Sequence, residues 1–442
     1  MAQVTQAGSG AETVAPSFGE AVAVWAKLGF LSFGGPAGQI ALMHRILVDE
    51  KGWIEERQFL PALNFCMLLP GPEAMQLATY VGWRLHGVKG GLAAGLLFVL
   101  PGALVVLLLS ALYAAFGQVP VVEAVFVGIK AAVLAIVLEA LIKVSRRALR
   151  GGLDIAIAVA AFVGIFMLQV PFPIIILAAA LVGFARARES SDTDYPQAPI
   201  KPVALADTAR TVMLWLGIWI LPLLAMAFVV GSDHVLSQLA LLFSKLAIVT
   251  FGGAYAVLAY MAQAAVDTHG WLAANEMLDG LGLAETTPGP LILVTEFVGF
   301  LAAYRAGGGI PLVSGMLGAI VALWATFAPC FLWIFAGAPY VERINADPRL
   351  RSALQAVTAA VVGVIFNLAV WFALHVIFAN VSAQHFGPVR LLVPQIGSIN
   401  PVAFALTLLA IALLFVVRTG VISTLLICAA AALAWHWGVA AL

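Results

Sequence analysis

The segments "SFGGPAGQ" at 32–39 and "LLPGPEAMQ" at 68–76 place glycine and proline, which break α-helices, inside strongly apolar sequence. The chain of 442 residues is 63% hydrophobic and only 10% charged, whereas a soluble domain has about 25% charged residues. Apolar stretches such as 92–116 and 155–184 are long enough to cross a bilayer. Because they lack the alternating pattern of barrel strands, the sequence predicts an all-α polytopic membrane protein.

Composition and motifs exclude several classes of function. The formal net charge is zero, so we expect no nucleic acid partner. The three cysteines lie in apolar segments, without a CxxC motif or a Cys/His cluster. This pattern predicts no disulfide, no metal site and no cofactor. Residues 1–16 contain neither a basic residue nor an apolar core, so they are interpreted as a disordered tail rather than a signal peptide.

An internal repeat organises the chain. Between 27–72 and 245–290, 16 of 46 gap-free positions are identical. The most informative matches share an offset of 218 residues: "KLGFLSFGG" with "KLAIVTFGG", "VDEKGW" with "VDTHGW", and "PGP" at 70–72 with "PGP" at 288–290. The sequence therefore predicts a first repeat at 17–188 and a second at 235–442. Residues 189–234 join them as a cytoplasmic linker and one connecting transmembrane helix.

The basic residues predict that the second repeat is inverted. A single connecting helix inverts it if each repeat crosses the membrane an even number of times. Of 19 basic residues outside apolar runs, the inverted arrangement places 17 in the cytoplasm and only Arg305 and Arg390 outside, as the positive-inside rule requires. The N-terminus is then cytoplasmic and the C-terminus periplasmic. Inverted repeats are typical of secondary transporters, which bind substrate at the repeat interface.

Each repeat is predicted to contain two re-entrant helical hairpins, broken at Phe-Gly-Gly and Pro-Gly-Pro, followed by four full crossings. A broken helix presents free backbone N–H groups and the positive end of a helix dipole, which together can bind an anion. The alternative is that the motifs only kink packed helices. The candidate binding residues are Ser32, Gly34, Gly35, Gln39, Pro70, Gly71 and Pro72 in the first repeat, and Thr250, Gly252, Gly253, Pro288, Gly289 and Pro290 in the second.

Charged residues near the breaks allow two interpretations each. Lys27 and Lys245 occupy equivalent positions in the two repeats; they either supply positive charge to a bound anion or extend from the membrane to the interface. Glu73, Glu285 and Glu296 lie close to the Pro-Gly-Pro motifs. These carboxylates either carry a coupling proton or cap the half-helices.

Several motifs together identify a family resemblance. They are "FLSFGGPAGQIALMH" at 30–44, "GWIEERQF" at 52–59 and "LLPGPEAMQLATYVGW" at 68–83, with a weaker second copy that includes "TTPGPLILVTEFVGF". The chain resembles the chromate ion transporter (CHR) family in its long two-domain form. The second copy has "PGPLILV" where the first has "PGPEAMQ", so the two half-sites are not equivalent.

The resemblance implies export of chromate, with sulfate as a structural analogue, across the bacterial inner membrane, and resistance to chromate. An importer of sulfate or another oxyanion is an alternative. An intramembrane enzyme is a weaker one, because HExxH, CxxC and GxSxG motifs are absent from the sequence. The expected partners are therefore a small oxyanion and the lipid bilayer. The oligomeric state is left open, a homodimer included.

Overall fold

The computed structural model describes residues 16–33, 35–186, 205–249, 254–341, 347–387 and 389–440. Within these ranges the chain forms sixteen α-helices. The first eight are α1 (Phe18–Leu31), α2 (Gly35–His44), α3 (Glu56–Leu68), α4 (Glu73–Phe116), α5 (Pro120–Ala148), α6 (Gly152–Phe166), α7 (Phe172–Arg186) and α8 (Leu205–Val230). The others are α9 (Val235–Val249), α10 (Ala254–Ala262), α11 (Ala274–Thr286), α12 (Val294–Ala306), α13 (Pro311–Gly337), α14 (Pro348–Ile377), α15 (Pro401–Ile411) and α16 (Val421–Ala440).

Six of these helices are long and apolar enough to cross a bilayer: α4, α5, α8, α13, α14 and α16. This confirms the predicted all-α polytopic membrane fold. Helices α6 and α7 have 15 residues each, or about 22 Å at 1.5 Å per residue. They are therefore shorter than the full crossings that the sequence predicted, since the hydrocarbon core is about 30 Å thick.

Helix α4 is bent back on itself. Its backbone leaves the helical region at His86 and Gly87, where φ of Gly87 is +61°. A Cβ atom on Gly82 would lie 2.4 Å from the carbonyl oxygen of Gly90, so the two arms pack at a distance that only glycine allows. The arm that begins at Glu73 therefore reverses direction at this bend, and α4 also contacts α3.

Irregular backbone recurs at the offset of 218 residues. A π-helical turn at Arg45–Glu50 follows α2, and another at Gln263–Thr268 follows α10. Next, Gly52 and Gly270 adopt φ of +60° and +61°. Helices α3 and α11 then span equivalent residues. The two segments therefore share one local conformation, irregularities included.

A β-hairpin between α14 and α15 was not predicted. Strands β1 (Val381–Phe386) and β2 (Val389–Pro394) pair in antiparallel register, with His385 opposite Arg390. The corresponding connection in the first half, from α5 to α6, has only residues 149–151. The hairpin is thus a feature of the second half among the described residues.

Candidate functional site

The first break of one half meets the second break of the other. The backbone N–H of Gly289 donates a hydrogen bond to the carbonyl oxygen of Ser32 over 2.8 Å. Ser32 follows α1, and Gly289 lies between α11 and α12. The structure therefore brings together two of the motifs that the sequence singled out, although they are far apart in the chain.

Gln39 on α2 contacts both residues of this hydrogen bond. Its Nε2 donates to the carbonyl oxygen of Gly289 over 2.6 Å and lies 3.3 Å from that of Ser32. The side chain is buried, and its Oε1 has no hydrogen-bond partner among the described residues. We call the contacts of Gln39 with Ser32 and Gly289 the clasp. Gln39 thus holds the two breaks together, and its role in substrate binding stays a prediction.

The hydroxyl group of Ser32 was predicted to donate to a ligand, but it donates to the carbonyl oxygen of Leu28 over 2.5 Å. This is a local bond within the last turn of α1. Of the other candidates, Gly34, Thr250, Gly252 and Gly253 lie outside the described residues. Gly35 begins α2 with φ of +70°.

A glutamine side chain also makes a hydrogen bond to the first Pro-Gly-Pro motif. Gln76 on α4 donates from Nε2 to the carbonyl oxygen of Pro70 over 2.7 Å. Gly71 has φ of +115°, and a Cβ atom there would lie 3.0 Å from Gln76 Nε2 and 3.1 Å from Cys330 Sγ. The break is therefore closely packed, and its backbone conformation requires glycine.

Three of the four breaks line one small cavity of about 10 Å³. The cavity has room for about one water molecule. The lining residues are Pro36 and Gln39 from the first break, Pro72, Glu73 and Ala74 from the second, and Pro290, Leu291 and Ile292 from the fourth. None of these residues is a cation, and Glu73 is the one charged side chain.

Unsatisfied backbone donors lie around this cavity. Pro72 precedes α4, and Pro290 precedes a 3₁₀ turn that leads into α12, so neither position has a capping side chain. Among the described residues, the N–H groups of Glu73, Ala74, Leu291 and Ile292 have no hydrogen-bond acceptor. Two helix starts, one from each half, thus place residues with free N–H groups beside the same cavity, and free N–H groups at helix starts can bind anions.

The three candidate carboxylates are buried or half-buried in different environments. Glu285 accepts a hydrogen bond from Tyr255 Oη over 3.0 Å. Glu296 is 1% exposed, and both of its carboxylate oxygens lack a hydrogen-bond partner within the described ranges. Glu73 is the first residue of α4 and makes no capping hydrogen bond. The capping interpretation of Glu73 therefore has no support in the side-chain contacts.

The structure does not bring the two repeated lysines to the cavity. Lys27 and Lys245 are exposed on α1 and α9. On α1, the buried face consists of residues such as Trp25 and Leu28. The ammonium group of Lys245 lies 5.7 Å from the centre of the Tyr260 ring. This placement agrees with the interfacial interpretation of the two lysines.

Sequence reasoning missed a second cluster of charges. Lys130 Nζ lies 3.1 Å from the carboxylate of Asp279, which also accepts a hydrogen bond from Tyr113 over 2.7 Å. Lys130 lies inside an apolar run of α5, and its partner lies on α11 in the other half. Only the three-dimensional contact shows that this charge is neutralised.

Comparison with known proteins gives the same assignment along most of the chain. The family model described as "Chromate transporter" matches residues 19–184 and 237–435. These are the two segments in which the breaks occur. No solved structure matches this chain.

Named relatives cover most of the chain. The "Probable chromate transport protein" of Synechococcus elongatus is 32% identical over 77% of this chain and 80% of its own. The "Chromate transport protein" of Cupriavidus metallidurans is 30% identical over 82% and 84%. That of Pseudomonas aeruginosa is 34% identical over 80% and 81%. On the family match and these identities, the chain belongs to the chromate transporter family.

Proposed function

We propose that the protein is a secondary transporter that exports chromate from the bacterial cytoplasm across the inner membrane and so confers chromate resistance. The proposal depends mainly on two helix starts that lack capping side chains. Four residues with free backbone N–H groups lie there beside one cavity: Glu73, Ala74, Leu291 and Ile292. Its relatives are named for chromate transport. Sulfate, which has the same tetrahedral shape and charge, would compete for the site.

Backbone donors suit the transport of a dianion. Aligned helix dipoles supply a partial positive charge at each start, and no full charge is left uncompensated when the substrate departs. A ring of buried arginines would bind an oxyanion more tightly because guanidinium groups form bidentate charged hydrogen bonds. The backbone site therefore favours release, which turnover requires.

The membrane potential favours export. Moving a charge of −2 outward across an inside-negative membrane gains about 4.6 kcal/mol per 100 mV. This driving force operates without ATP. The chain also lacks the GxxxxGK[ST] motif of a phosphate-binding loop. Import would instead require cotransported cations.

Protons are the second source of energy in this proposal. An ionised Glu73 would repel a dianion in the same cavity, so Glu73 must bind a proton or move when substrate binds. Glu296 is a further candidate carrier, because a buried carboxylate without a hydrogen-bond partner favours the neutral form. Glu285, which accepts a hydrogen bond from Tyr255, is the third candidate. Glu→Gln at the coupling residue should leave potential-driven flux but abolish its dependence on a pH gradient.

The proposed inverted topology agrees with two ion pairs. Arg305 and Arg390 are the basic residues that this topology leaves outside the cytoplasm. Arg305 pairs with Glu276 over 2.5 Å, and Arg390 Nη1 lies 3.5 Å from the carboxylate of Asp267. Both of these positive charges therefore have acidic partners.

Purified protein in oriented proteoliposomes tests the proposed function. We expect chromate flux that follows an imposed potential and leaves the compartment corresponding to the cytoplasm. Absence of potential-dependent chromate flux would overturn the proposal. Flux that runs only in the opposite direction, driven by a cation gradient, would identify an importer.

A further inference from the structure

A second cavity lies under the β-hairpin. It has a volume of about 40 Å³, enough for about three water molecules. Its walls come from the end of α6, the π-helical turn after α10, α14 and strand β2. The polar side chains in its lining are Gln169, Gln263, Asp267, Asn367 and Arg390.

Arg390 is held in place by its backbone rather than by its side chain. Its N–H donates to the carbonyl oxygen of Met167 over 2.8 Å, which joins the hairpin to the first half. Its guanidinium lies 3.5 Å from the Asp267 carboxylate, and it makes no hydrogen bond in the part of the chain that the structure describes. A guanidinium has five N–H donors, so the donors of Arg390 remain available to a ligand.

The side-chain amides near Arg390 also lack hydrogen-bond partners among the described residues. The side chains of Gln169, Gln263 and Asn367 line the cavity, and none of them makes a side-chain hydrogen bond to a described residue. Gln169 has φ of +52°, a left-handed conformation that is uncommon for residues other than glycine. Three amides without side-chain hydrogen bonds to described residues, and a guanidinium paired only with Asp267, therefore line one small space.

We propose that this cavity is a second oxyanion site on the transport path, with Arg390 as its positively charged ligand. The planar fork of a guanidinium matches two oxygens of a tetrahedral oxyanion, and the amides can donate to the others. Asp267 acts as the counterion when the site is empty, and the substrate displaces it. The proposal rests on the proposed transport of an oxyanion and adds where the substrate binds after it leaves the breaks.

Helix α10 connects the two sites. Near its start, Tyr255 donates to Glu285 and lies close to Gly35 at the first break. Gln263, directly after α10, lines the second cavity. At 1.5 Å per residue these positions are about 12 Å apart. An oxyanion that leaves the breaks along α10 thus reaches the hairpin cavity after a short step.

The competing interpretation is that Arg390 and Asp267 only latch the hairpin shut. The two interpretations predict different signs for the effects of Arg390 and Asp267 variants on chromate affinity. In a binding site, Arg390→Gln removes a ligand and Asp267→Asn removes a competitor, so the variants have opposite effects on affinity. In a latch, each variant breaks the same ion pair, so both effects have the same sign.

The test is chromate exchange in right-side-out and inside-out membrane vesicles. On the hairpin side, we expect Arg390→Gln to raise the half-saturating chromate concentration about tenfold and Asp267→Asn to lower it. Arg390→Lys keeps the charge without the fork and should give an intermediate value. Gln384→Ala, on the exposed strand β1, is the control and should match wild type. Melting temperatures of the purified variants show whether each one folds.

Each outcome decides between the interpretations. Shifts of the same sign in Arg390→Gln and Asp267→Asn, or equal shifts from both sides of the membrane, overturn the second site. Loss of exchange in Asp267→Asn with normal exchange in Arg390→Gln would indicate a cation site and also overturn it. Absence of chromate exchange in wild type would instead overturn the proposed function.

Discussion

The backbone N–H of Gly289 and the carbonyl oxygen of Ser32 are joined by a hydrogen bond of 2.8 Å that links the two halves of the chain at their helix breaks. Because this bond and the clasp of Gln39 are buried, the breaks form one packed unit. A change at either break should therefore affect the other half as well.

Valine at the break glycines should abolish transport without preventing membrane insertion. Gly71 and Gly289 have φ of +115° and +93°, and forcing a β-branched residue into such a conformation costs on the order of 1–3 kcal/mol. A Cβ atom at Gly289 would also lie 2.9 Å from Leu293 Cδ1. Chromate efflux from cells, at expression levels matched by immunoblot, measures the effect.

Gly217→Val is the control for these variants, because a Cβ atom there meets nothing closer than 3.7 Å. Gly95 also lies outside both breaks, but it cannot serve as a control. A Cβ atom on Gly95 would lie 2.5 Å from Thr79 Oγ1. Normal efflux by both break variants would show that the breaks are only kinks.

Gln39→Leu should loosen the clasp. It removes the donor to the carbonyl oxygen of Gly289, and leaving a buried acceptor unsatisfied costs about 1–3 kcal/mol. We expect a lower melting temperature together with tighter apparent chromate binding, because the closed state loses more than the open one. Weaker binding at unchanged stability would instead show that Gln39 contacts the substrate.

The exposed lysines and the buried lysine should respond differently to substitution. Lys27→Met and Lys245→Met should transport normally, because both side chains are exposed away from the cavity. Lys130→Met leaves the buried carboxylate of Asp279 without its cation, and breaking a buried pair costs about 3–5 kcal/mol. Melting temperature and flux of the three variants, measured side by side, test the contrast.

Loss of chromate binding in both Lys27→Met and Lys245→Met, with insertion preserved, would return these lysines to the binding site. A melting temperature of Lys130→Met equal to that of wild type would show that Asp279 is stable without its partner.

Reporter fusions test the topology. A fusion at Asp192 and one after Leu442 should report opposite sides of the membrane, with Asp192 in the cytoplasm. The reason is the strong bias of basic residues toward one side. Fusions that report the same side would contradict the inverted arrangement.

The breaks were predictable from sequence because glycine and proline in apolar segments have a direct conformational meaning. The contact between Ser32 and Gly289 was not, since repeat symmetry does not specify which break meets which. The hairpin had a readable signal in the sequence, since a Gly-Pro pair at 387–388 separates the short segments VSAQHF and VRLLVP.

The small size of the cavity at the breaks has a thermodynamic consequence. A site with room for about one water molecule must open before it accepts an oxyanion. Its apparent dissociation constant then equals the intrinsic constant divided by the open fraction. If about 1% of molecules are open, chromate binds about 100-fold more weakly than the site itself would allow. If the oxyanion binds at the breaks, the clasp controls its affinity through the population of open molecules. Substrates of unequal size are then separated by the free energy of opening rather than by their contacts with the site.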